Sequence, residues 1–199
     1  MSWEITGNSG TNPATNFLGT IDNQPLVIKI GGAEAMRIDA TGMDVAGDIR
    51  LTNADCAEDF DIGGNSMVEP GTVMVLGEGG VLFPNRHAHD KRVAGVISGA
   101  GGYKPGIVLD KQQSDDSART ERSGQAVRRQ PIALLGKVYC KVDASYAPIE
   151  PGDLLTTSDT LGHAMKASDP LKAFGCVLGK AMGGIKEGRG LIPILITLQ

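Results

Sequence analysis

The sequence predicts an all-β chain in two parts: a thin β-ribbon over residues 1–52 that needs copies of itself, and a compact antiparallel β barrel or sandwich over 53–199. Three observations carry this expectation. Gly supplies 28 of the 199 residues, about twice the usual share, which argues against long helices. Apolar and polar residues alternate in the first part, the period of strands with one buried face. In the second part, runs rich in Val, Ile and Leu are bounded by Gly or Pro.

The ribbon opens with a loop, Gly7-Asn8-Ser9-Gly10-Thr11-Asn12-Pro13. Leu26, Ile28 and Ile30 then alternate, as do Met43, Val45, Ile49 and Leu51 with Gly47 in the same phase. Gly31-Gly32 and Thr41-Gly42 form turns between them. About 50 residues this thin do not offset their own chain entropy. The apolar face must be buried on something else, and three copies of the chain are the simplest partner.

From Ala54 onward the expected strands are Thr72–Leu76, Val93–Ile97, Gly106–Leu109, Ile132–Val142, Leu154–Thr157, Phe174–Met182 and Leu191–Leu198. Val138, Cys140 and Val142 share one phase, which places Cys140 in the core. The segment Lys111–Gln130 holds Val127 as its one large aliphatic residue among many charges, so it reads as a long exposed loop, a solvated insertion or a surface-binding element. Leu51–Asp61 gathers Thr52, Asn53, Asp55, Glu58, Asp59 and Asp61, and reads as an acidic linker between the two parts or a cap on a short turn.

Nineteen basic against 23 acidic residues give a net charge of −4, which disfavours a nucleic-acid-coating protein. No apolar run approaches the roughly 18 residues that span a bilayer, and the start lacks the regions of a signal peptide. The expectation is a chain made in the cytoplasm, without membrane insertion, that ends in a virion-like particle or as a released fibre. Three widely spaced cysteines, Cys56, Cys140 and Cys176, fit free thiols.

No catalytic or cofactor constellation emerges from spacing. His87 and His89 could offer two metal ligands, but nothing completes the set, so Arg86–Asp90 reads as a polar turn and no metal or cofactor is expected. The Gly77–Gly80 and Gly99–Gly102 stretches read as turns rather than phosphate loops. There is no Gly-x-Ser-x-Gly elbow, and nothing joins Ser98, His163 and an Asp into a triad.

Two stretches carry a resemblance. Trp3-Glu4-Ile5-Thr6-Gly7-Asn8, with Gly10-Thr11-Asn12-Pro13 and Asn16 to Leu26, resembles the trimeric stalks of phage tail fibres. Ala54-Asp55-Cys56-Ala57-Glu58-x-Phe60-Asp61 resembles the opening of the intramolecular-chaperone autoprocessing domains of tail spikes, the peptidase G2 type, whose common pattern is Ser-Gly-Ala-Asp-Tyr-Ala-Glu-x-Phe-Glu. Asp90–Ser98 and Pro151–Leu155 resemble later strands of that domain. Thr52, Asn53 and Cys56 stand where the pattern has Ser, Gly and Tyr. The resemblance implies a structural homotrimer that associates with other particle or fibre proteins, its terminal domain nucleating and locking the trimer. It also implies self-cleavage at Leu51-Thr52, with Thr52 as nucleophile and Asp55 or Glu58 as base. A third alternative is a module that grips a surface glycan through the 111–130 loop.

Overall fold

The computed structural model describes residues 4, 6–64, 67–111, 119–120 and 126–197. The expected fold class holds: 46% of the structure is strand and 4% helix, so its regular structure is nearly all β. It divides into two compact units, Met1–Arg50 and Leu51–Gln199.

The first unit is a three-stranded antiparallel meander of β1 (Leu26–Ile30), β2 (Ala33–Asp39) and β3 (Gly42–Val45). Its register aligns Leu26 with Ile38 and Met43, and Ile28 with Met36 and Val45. Those six residues make one wholly apolar face. The other face carries Val27, Arg37 and Asp44 in one row and Lys29 beside Glu34. Two expectations change here. The middle strand was not expected, because Ala33–Asp39 has little β-branched character. The last strand stops at Val45 instead of running through Ile49 and Leu51, because Gly47 takes a φ of +132° that turns the chain out of the ladder.

The second unit contains β4 (Asp55–Ile62), β5 (Val73–Leu76), β6 (Leu82–Pro84), β7 (Val93–Ile97), β8 (Pro105–Leu109), β9 (Arg119–Thr120), β10 (Ala126–Asp143), β11 (Leu154–Thr157), β12 (Ala164–Lys166), β13 (Val177–Ala181) and β14 (Arg189–Thr197). The helix α1 (Pro170–Ala173) has Asp169 as its cap, accepting from the amides of Leu171 and Lys172 at 3.0 and 3.4 Å. Pairing follows two closed circuits. One runs β10–β14–β13–β11–β12 and returns to β10 through Val142 beside Ala164. The other runs β10–β7–β5–β6–β4 and returns to β10 through the long β4–β10 ladder. The unit is thus two small barrels that share β10. Pairing is mostly antiparallel, with parallel exceptions at β10–β12, β4–β6 and β4–β8.

Each barrel has its own core. Val138, Cys140, Val142, Leu155, Leu178, Ile192, Ile194 and Ile196 fill the first. Ile62, Met74, Leu82, Ala94, Ile97 and Ile132 fill the second. Along β5, β7 and β10 neighbouring residues divide between them: Val73, Val96 and Ala133 join the first core, and Met74, Ile97 and Ile132 the second. A strand wall with both faces dry reads as an unbroken apolar run.

Three further expectations are corrected. Leu51–Asp61 is not a linker: from Asp55 it is strand β4, flanked by β10 and β8. The loop expected over Lys111–Gln130 ends earlier, because Ala126–Gln130 is already strand β10 and Arg119–Thr120 pairs with it; residues 112–118 and 121–125 lie outside the described residues. Arg128–Gln130 pair with Ile62–Phe60 on β4. Gln130, buried, docks its amide on Val68, accepting from its N–H at 2.9 Å and donating to its C=O at 2.8 Å. Phe174 is not in a strand, since α1 intervenes and leaves it 91% exposed.

Asp143 ends β10 and ties the first barrel shut. Its carboxylate accepts from Thr160 Oγ1 at 2.7 Å, the Ser145 amide at 2.9 Å and Arg189 Nε at 3.1 Å. Burial pushes this carboxyl up, but the hydrogen bonds from Thr160, Ser145 and Arg189 outweigh that and hold it well below the ordinary carboxylate range. A depressed native pKa adds stability above the unfolded value that is lost as pH falls toward the native one. Asp143→Asn should therefore cost about 1–3 kcal/mol at neutral pH and flatten the loss of stability below roughly pH 4, as read by urea unfolding at several pH values.

Candidate functional site

The candidate site is the start of the second unit, where the chain passes from an exposed bend at Thr52 and Asn53 into β4. Ala54 is held on both sides: its amide donates to Lys104 O at 2.9 Å, and its carbonyl accepts from the Lys137 amide at 3.4 Å. Gly136 sits against it with a φ of +104°, and a Cβ there would lie 2.7 Å from Ala54 O. Only Gly fits where β4 and β14 flank β10 at the same position.

Asp55 is 3% exposed. Ser98 Oγ stands 3.0 and 2.9 Å from its two carboxylate oxygens and donates the single hydroxyl proton, while the Ser98 amide is fixed on Pro131 O at 2.8 Å. Burial raises the Asp55 carboxyl above its ordinary value, and the Ser98 hydroxyl opposes this. One hydroxyl donor does not outweigh the burial of the carboxyl.

Of the expected site residues, the structure places Asp55 and Glu58 on opposite sides of β4. Asp55 shares its side with buried Ala57, and Glu58 shares its side with Cys56 and Phe60. Thr52 is exposed, and its side chain has no hydrogen bond among the described residues. The Asp55 carboxylate meets Ser98 rather than Thr52. Ser98 was missed as a site residue; the available signal was a polar residue ending the apolar run Val93–Ile97.

Other sequence candidates resolve as structure. In the Arg86–Asp90 turn, the Asp90 amide donates to Thr157 Oγ1 at 2.8 Å and the Ala88 amide to Asp159 at 2.9 Å, docking the turn beside β11. Arg92 grips the Asp90 carboxylate at 2.7 Å and holds it below the ordinary range. Among the described residues no cluster of His, Cys, Asp and Glu is arranged to hold a metal. Cys140 and Cys176 are buried and Cys56 half-buried, all free thiols; burial drives the Cys140 thiol up, away from reactivity. His163 turns its Nδ1 to Leu161 O at 2.7 Å. No helix among the described residues is long and apolar enough to cross a membrane.

The first unit offers a different surface. None of its described residues is buried, and on its apolar face Ile28, Ile38 and Met43 stay 42, 41 and 55% exposed.

No protein-family model matches the sequence, and no curated protein does. Among solved structures the fold is similar to pre-mature gene product 12 of bacteriophage phi29, at 15% identity and a TM-score of 0.56 over 82% of this chain. The match spans only 24% of that chain. Two further phi29 structures align more loosely. They are the C-terminal fragment of gene product 12 (16% identity, TM-score 0.47, 72% of this chain and 100% of that one) and the head fiber gp8.5 N base (18%, 0.38, 71% and 92%).

A titration of Asp55 followed by carboxyl carbon NMR should give a value above the ordinary carboxylate range. In Ser98→Ala it should rise further, because burial remains while the hydroxyl that favours the charged form is gone. A raised native pKa means stability that is full below the unfolded value and falls as pH rises through the native one.

Proposed function

We propose that this chain is a structural fibre protein of a phage-type particle, a homotrimer in which the β1–β3 sheets wind together and the twin-barrel unit nucleates and locks the assembly. The carrying observation is the first unit's sheet: a six-residue apolar face with no buried residue in the unit around it. A three-stranded sheet needs its apolar face covered to be stable. Two further copies of the same face supply that cover. The similarity of fold to a phi29 gene product supports the reading, and the same setting suits contacts with other particle or fibre proteins and with a surface glycan.

A second reading, self-cleavage at Leu51-Thr52, draws support from a buried carboxyl of raised pKa three residues past the bond. Thr52 Oγ attacks the Leu51 carbonyl carbon, the Leu51–Thr52 C–N bond breaks as the amine leaves, and water then hydrolyses the resulting ester. Asp55 acts as base once it is freed from Ser98, because a base must reach the hydroxyl it deprotonates.

Native mass spectrometry or light scattering of the full chain should report three chains. Ile28→Asp puts three charges on the shared face, each costing roughly 3–5 kcal/mol when unpaired and buried, and should shift the population to monomer; a wild-type monomer would overturn the trimer. Denaturing mass of fresh and aged protein tests the second reading. A fragment beginning at Thr52 and lost in Thr52→Ala establishes cleavage, and a single species of 20.7 kDa throughout retires it.

A further inference from the structure

Building on the proposed trimer, we infer that copies of the twin-barrel unit meet head to tail across the end of the second barrel, where its core runs out to the surface around Leu135. The inner side of β4 begins with Ile62 and Phe60, which belong to that core. Followed back along the strand, the same side continues to Glu58 and Cys56. The register sets Leu109 of β8 beside Glu58, and Ile107 beside Cys56, with Leu135 of β10 beside Cys56 from the other edge. A bulge between Ala133 and Leu135 turns Leu135 onto this side. Ile107, Leu109 and Leu135 are 44, 50 and 59% exposed, so an apolar strip three strands wide continues the core into solvent.

Residues 111–125, which follow β8, contain no large apolar side chain. A second copy fits better, for a reason of charge. Glu58 lies in the strip and Lys137 borders it two residues past Leu135; neither has an ion-pair partner among the described residues, and Lys137 rests over the Tyr103 ring at 5.2 Å. They are not paired within one copy. Across the bulge Gly136 pairs with Asp55, so Lys137 lies four β4 positions from Glu58, about 13 Å along the strand at roughly 3.3 Å per residue. Between copies they can meet, the carboxylate of one against the lysine of the next. In a trimer with threefold symmetry each contact joins different parts of two neighbouring copies, here Glu58 of one against Lys137 of the next, and the rotation closes the ring at three.

The test uses the full chain carrying Cys56→Ser, Glu58→Cys and Lys137→Cys, treated with a bismaleimide shorter than that separation; Cys140 and Cys176 are buried. The expected result is a denaturing-gel ladder that ends at three chains, with each single-cysteine variant remaining a monomer. A protein that stays trimeric by native mass yet does not cross-link, or a ladder ending at two chains, overturns the inference and leaves the proposed trimer standing. A monomeric parent overturns the trimer itself. Leu135→Asp gives a second arm: replacing an exposed residue, it should leave the fold intact and weaken the trimer roughly tenfold or more, and an unchanged dissociation midpoint would count against the strip.

Discussion

The second unit depends on one strand. β10 runs for 18 residues, Ala126–Asp143, about three times the usual strand length, and closes both barrels. Leu135 and Gly136 pair with β4 and β14 at once, which sets those strands on opposite edges. Ile132 and Ala133 pair with β4 and β7 in the same way. One edge therefore carries β4 and then β12, and the other β7 and then β14. At these positions both edges of β10 are paired.

Sharing a strand forces its two sides to change role along its length. Ile132 points into the second barrel, whereas Ala133, Val138, Cys140 and Val142 point into the first. Beyond the bulge, the side that held Ile132 becomes the outer wall of the first barrel and carries Lys137, Tyr139 and Lys141. Gly136 stands at the changeover, where β4 comes too close for any Cβ. Tyr139 is covered by the Gly99–Gly102 loop, whose Gly101 lies on its ring, and by Tyr103 at 5.1 Å. The stretch that read as a turn in the sequence is a lid on a tyrosine.

How legible was this in the sequence? Alternation and Gly/Pro punctuation located β1, β5, β7, β8 and β11 almost to the residue, because those strands are short and have plain ends. They found only Ile132–Val142 of β10 and took β4 for a linker, the two strands on which the topology turns. Pro131 and the Arg128-Arg129 pair made the first part of β10 look like loop. In the fold those residues are paired with β4, and Arg129 bonds Asp61, Asp110 and the Asp59 carbonyl. β4 was obscured by its four carboxylates, since one of them, Asp55, points inward. A buried acid whose one donor, Ser98, is 43 residues away in sequence leaves no local trace. Local pattern reports strand ends and faces, while partners are decided by long-range register.

The two units also divide the energetic work. The second has two closed cores and can hold its shape as a single chain, whereas the first has none and its described residues are all at least partly exposed. A sheet of 4- to 7-residue strands gains little from meeting another in dilute solution, because association must first offset the freedom lost by each chain. Tethered to a unit that is already associated, the same sheets meet at an effective concentration in the millimolar range. In the proposed trimer the barrel unit would therefore form and associate first, and the ribbon would follow. The order is fixed by where the apolar residues are spent: inside the barrels on one chain's own fold, and along the ribbon on faces that only other chains can cover.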